Sequence, residues 1–172
     1  GVLQVGYRPN NLPCSFLTTD NDLVGFDVEM AHILAQDLGV ELQFLPFEFD
    51  SLGRMLSSGQ MDMAMSCIAS LPYRYGYASF SRPYLDLTLA FIVPDHQREL
   101  FSELDLLRER KDLVIAMVSS NYFASRIKNL LPAASIVYLE AAEDFFTGGS
   151  QGADALLLSA EEGAAYSYRY PR

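Results

Sequence analysis

The feature that most constrains this chain is a rhythm: short apolar runs alternate with stretches of helical periodicity, and the alternation occurs twice. Residues 2–7 read as a strand that stops at the turn cluster Arg8-Pro9-Asn10-Asn11. Ser15-Phe16-Leu17 and Leu23-Val24-Gly25 flank a polar cluster and predict a small hairpin. A helix over 27–38 follows, capped by Asp27, apolar at Met30, Ile33, Leu34 and Leu38, and stopped by Gly39. Residues 41–45 form the next strand, Ser51 opens a helix carrying Leu52, Met55 and Leu56, and 61–65 is a third strand. After the extended run 88–93 the pattern returns. A charged helix spans 98–110, then come strand 113–117, helix 123–131, strand 135–139, short helix 142–146 and strand 155–158. Strand–helix–strand order specifies an α/β fold, a parallel sheet covered by helices. Two such sets predict two lobes, 1–92 and 93–172.

In such sheets ligands gather beyond the carboxyl ends of the strands. That rule nominates the loops 8–15, 66–74, 119–122 and 159–163. They hold Arg, Ser, Asn and small residues, the chemistry that grips an anion through guanidinium groups and helix-terminal N–H groups. Ten of the twelve cations are Arg, the better planar clamp for carboxylates. The formal net charge of −10 works against non-specific binding to nucleic acid, and no nucleic-acid partner is expected. No apolar run approaches the ~20 residues that span a bilayer. Cys14 and Cys67, far apart and without a CxxC or a His cluster, make no zinc motif. They read as two separate small apolar side chains, with a single disulfide as the alternative. No metal and no cofactor is expected.

Several ordered pieces together resemble the family 3 extracellular (periplasmic) solute-binding proteins. They are Leu3-Gln4-Val5-Gly6, Leu23-Val24-Gly25-Phe26-Asp27-Val28-Glu29-Met30, Leu38-Gly39-Val40 and Phe49-Asp50-Ser51-Leu52. Leu56-Ser57-Ser58-Gly59-Gln60-Met61-Asp62, Pro72-Tyr73-Arg74 and Phe80-Ser81-Arg82-Pro83-Tyr84 continue the series. The second lobe matches through Leu130-Leu131-Pro132 and Gly152-Ala153-Asp154-Ala155. The stretch from Asp154 to Gly163, with Tyr170-Pro171 behind it, is similar to a subgroup fused to cation:dicarboxylate symporters. The resemblance implies a two-lobed periplasmic-binding-protein fold of type II. Here it is expected to be truncated before the second hinge return, which leaves first-lobe surface for a homodimer to cover. It also implies a periplasmic or extracellular location, tethered to a membrane protein.

Residue by residue, the resemblance puts Arg74 on the arginine that grips a ligand carboxylate and Ser66 at the start of the loop that hydrogen-bonds the same group. Phe49 matches an aromatic that packs on the ligand. Ser119, Ser120 and Asn121 match a second-lobe loop that closes on the carboxylate. Five positions depart from the pattern: Arg8 and Ser159 stand where acids commonly face an ammonium group, and Ala69 replaces a Ser or Thr. Asn11 and Cys14 stand where first-loop aromatics are usual. Two carboxylates are lost and a guanidinium is gained, so an ammonium group here lacks its counter-ions unless Glu161 or Glu162 substitutes. The expected function is capture of a small anionic solute, a dicarboxylate or an acidic amino acid, in an interlobe cleft for membrane transport. The alternatives are the ligand-sensing domain of a membrane kinase, cyclase or chemoreceptor, and a dehydratase on the same scaffold. The candidate loops lack the His and Asp that acid–base chemistry favours, so no catalytic residue is assigned.

Overall fold

The first sheet is built around β1 (Val2–Tyr7), whose Val5 is fully buried. The computed structural model describes residues 1–118 and 121–171, with the backbone alone at 121 and 122. β5 (Glu41–Pro46) lies parallel to β1 from Val2 opposite Glu41 to Tyr7 opposite Pro46, and β6 (Met63–Ala64) pairs parallel on its other side. A central parallel strand is buried on both faces, and helices cover both here. α1 (Phe26–Leu38) sets Ala31 against Val5 and Met65, while α2 (Phe49–Ser57) sets Leu52 against Phe47 and Met61. Burying a side chain such as Leu52 contributes ~1.5–3 kcal/mol. The predicted hairpin forms as β3 (Ser15–Leu17) and β4 (Leu23–Val24), extended by β2 (Asn10–Asn11).

Asp27 does not cap α1. Gly25 does, at φ 136°, because a Cβ there would overlap the Cys14 carbonyl oxygen. Asp27 instead sits fully buried in the first turn. α2 likewise starts before Ser51. Glu48 is its N-cap, and the Ser51 hydroxyl donates to the Glu48 carbonyl at 2.8 Å.

The chain divides into two units, Gly1–Asp86 and Leu87–Arg172. β7 (Leu89–Ile92), placed in the first lobe by a boundary after residue 92, pairs antiparallel with β10 (Ala155–Ser159) and so belongs to the second unit. That unit's sheet runs β7–β10–β8–β9, with β8 (Val114–Met117) parallel to both β10 and β9 (Ser135–Tyr138). Its core joins Leu113, Ile115 and Met117 to Leu107 of α3 (Leu104–Glu109) and Ile127 of α4 (Asn121–Leu130). The helix expected over 98–110 is interrupted, since Glu103 takes extended backbone (φ −128°, ψ 123°) between a 3-10 turn at Leu100–Ser102 and α3. α5 (Ala142–Thr147) forms as expected. The stretch 159–163, expected as a loop, opens α6 (Ala160–Arg169) instead. The Ser159 hydroxyl accepts the Glu162 N–H at 3.0 Å, and an N-cap needs that acceptor. Among the described residues no helix is long and apolar enough to cross a membrane.

Candidate functional site

In the first unit the ends of β1, β5 and β6 bring together Arg8, Phe49, Ser66, Ala69 and Arg74, five of the residues singled out from sequence. The centre is Phe49, at the start of α2. The Arg74 guanidinium carbon lies 4.3 Å from the Phe49 ring centroid and that of Arg8 lies 4.6 Å from it. Arg74 is buried in a 3-10 turn (Pro72–Gly76), its Nη1 donating to the Ala69 carbonyl at 2.8 Å and its carbon 5.4 Å from the Tyr73 ring. Each such cation–π contact is worth ~0.5–2 kcal/mol, which holds the two positive charges on one ring against their mutual repulsion. Among the described residues neither guanidinium has a carboxylate partner. The Nε of each is buried without a hydrogen-bond partner. A buried donor left unpaired costs ~1–3 kcal/mol, and an anionic acceptor removes that cost.

Ser66 begins its loop with its hydroxyl turned into the protein. Its side chain is 1% exposed, and its oxygen lies 2.6 Å from the Ser15 oxygen. Ser15 spends its own proton on the Arg8 carbonyl at 2.8 Å, so the Ser66 hydroxyl donates to Ser15. The Ser66 oxygen then accepts from the Arg8 N–H and from Asn11 Nδ2, both at 3.3 Å. One donor and two lone pairs are thereby used. The Ser66 hydroxyl fixes the Arg8 loop.

Cys14 and Cys67 are joined in a disulfide, with Cα atoms 5.7 Å apart. This overturns the reading of two separate apolar side chains; the pairing depends on β3 and the end of β6 meeting in space, which a separation of 53 residues does not reveal. The buried Asp27 accepts the Tyr84 hydroxyl at 2.7 Å on Oδ1 and the Cys67 N–H on Oδ2. Burial, followed by the hydrogen bond to Asp27, pushes the Tyr84 phenol well above its ordinary value. Asp27 and the two sulfurs place potential metal-ligand atoms within 4.8 Å of one another, but both sulfurs are committed to the disulfide.

Ser119 and Ser120 lie outside the described residues, as does the side chain of Asn121, whose backbone opens α4. Ser159 lies in the second unit as the N-cap of α6. In the first turn of that helix, Glu161 has a buried Oε2 without a hydrogen-bond partner. Sequence reasoning missed Ser15 and Asp27 as parts of the site. A buried polar residue leaves no periodic signal.

Ligand-type side chains gathered at the strand ends of a parallel sheet are an arrangement that can hold a small solute. The chain belongs to the bacterial extracellular solute-binding proteins, family 3, whose model matches residues 3–157. Over 85 residues it is 39% identical to cyclohexadienyl dehydratase of Pseudomonas aeruginosa, covering 49% of this chain and 32% of that protein. It is 28% identical over 128 residues to a probable histidine-binding protein of Campylobacter jejuni, covering 74% of this chain and 49% of the relative. The chain thus spans about half the length, or less, of these relatives. An amino acid ABC transporter substrate-binding protein from Streptococcus pneumoniae, solved bound to L-arginine, superposes with a TM-score of 0.79 at 27% identity. That match covers 98% of this chain and 71% of the other. The periplasmic-binding α/β fold expected from the sequence is the one observed.

Proposed function

We propose that this solute-binding protein captures a small anion, a dicarboxylate or an acidic amino acid, with Arg74 holding one carboxylate and Arg8 the second. The observation that carries this reading is the convergence of two guanidiniums on Phe49, each with a buried, unpartnered Nε. Two cations on one apolar ring favour a ligand with two anionic groups over one with an ammonium group. Delivery is to a membrane transporter on the extracytoplasmic side, to which the protein is tethered or fused. Attachment to a membrane sensor uses the same site.

A second reading, an amino acid with a cationic end, is favoured by the L-arginine in the Streptococcus pneumoniae protein. Dehydratase activity is the weakest reading, although a dehydratase is among the relatives. Neither 8–15 nor 66–74 holds an Asp, Glu or His to move a proton.

Thermal melting with and without succinate or glutamate tests the anion reading. Each is expected to raise the Tm, and Arg74→Ala to remove the effect with the far-ultraviolet spectrum unchanged, at ~2–4 kcal/mol of affinity. Arg8→Asp is expected to shift preference toward solutes that carry an ammonium group. Normal succinate binding by the Arg74→Ala protein refutes the assignment of the carboxylate grip.

A further inference from the structure

The backbone of Arg8 is held at both ends by serines that adjoin the disulfide. Its N–H donates to Ser66, next to Cys67, and its carbonyl accepts from Ser15, next to Cys14. The bond between Ser15 and Ser66 thus lies alongside the bond between the two sulfurs. Asp27 completes the arrangement by accepting the Cys67 N–H and, through its own N–H, donating to the Cys14 carbonyl at 2.9 Å. Cys14 is buried, whereas Cys67 is half-buried.

We propose that the Cys14–Cys67 disulfide is a redox-dependent brace that holds Arg8 in the anion site, so that reduction by a dithiol lowers affinity for a doubly charged solute. The proposal rests on the anion reading above. A donor thiolate attacks Cys67 Sγ, the S–S bond breaks, and the Cys14 sulfur leaves and takes a proton. The donor's second thiol then resolves the mixed disulfide. The donor is oxidised to its own disulfide, and the protein gains two electrons and two protons as two thiols. Two thiols cannot remain at bonding distance in a packed site, so the loops separate and the pair of serines goes with them.

The full chain is compared in its oxidised form and after dithiothreitol treatment, with thiol counting to establish each state. Two measurements are made on each: amide hydrogen exchange, and calorimetry with succinate. Exchange at the Arg8 and Cys67 amides is expected to quicken at least tenfold on reduction, with the Val5 amide of β1 unchanged. Succinate affinity is expected to fall at least fivefold. Cys14→Ala/Cys67→Ala should reproduce both changes without reductant. Unchanged exchange at Arg8 and Cys67 in fully reduced protein overturns the brace whatever the solute. Quickened exchange with unchanged succinate affinity overturns its control of the site. Failure of the oxidised protein to bind succinate overturns the anion reading, and the claim of solute control with it.

Discussion

Ser66→Ala separates a residue that touches solute from one that holds the site. In the folded protein the Ser66 hydroxyl is 1% exposed and satisfies the Arg8 N–H, Asn11 and Ser15 together. Its removal leaves Asn11 with its other acceptor, the Ser66 carbonyl at 2.7 Å, and leaves Ser15 donating to the Arg8 carbonyl. The Arg8 N–H alone loses its acceptor. One partly buried orphan donor costs ~1–3 kcal/mol of folding stability. In a unit of this size each kcal/mol lowers the Tm by about 4–8 °C. Urea or thermal unfolding of the substituted protein reads this directly, and calorimetry with glutamate reads affinity in parallel. Stability is expected to drop by that amount and affinity to fall less than tenfold. The Ser15→Ala/Ser66→Ala double variant should cost less than the two singles added, because the pair shares one bond. Unchanged stability with affinity lost more than tenfold would refute the reasoning and make Ser66 a direct solute contact.

Two further outcomes follow from the second unit. Gly163 of α6 lies against β7, where a Cβ would overlap Ile92 Cδ1. Gly163→Val is expected to destabilise by ~1–3 kcal/mol in urea unfolding, and adding Ile92→Ala to recover part of the loss. Tyr166 is buried, and that burial, with Glu143 and Glu162 nearby, pushes its phenol up to about 12. The unfolded phenol ionises near pH 10. Its contribution is therefore intact below about pH 10 and lost as pH rises toward 12, where the unfolded state has released its proton first. Tyr84 adds the same sign, so Tyr166→Phe should flatten only part of the alkaline decline measured by urea unfolding.

The sheets were legible in the sequence because buried parallel strands are apolar throughout and their helices keep a 3.6-residue period, as Leu52, Met55 and Leu56 do. The boundary was less so. Leu89–Ile92 is apolar whichever sheet it joins, and only its pairing with β10 decides the matter. α6 escaped because its sequence, rich in Ala, Tyr and Glu, carries little apolar periodicity, although Ser159 is an ordinary cap. Arg8, Phe49 and Arg74 could be named from a resemblance, but their convergence on one ring could not. The disulfide and the Ser15–Ser66 bond depend on contacts between loops more than fifty residues apart.

The most direct test of the central claim is a calorimetric panel of succinate, glutamate, glutamine and arginine on the oxidised full chain. Two guanidiniums at Phe49 should favour succinate or glutamate over arginine by at least ~1.4 kcal/mol, a tenfold ratio. Tightest binding to arginine would contradict the claim.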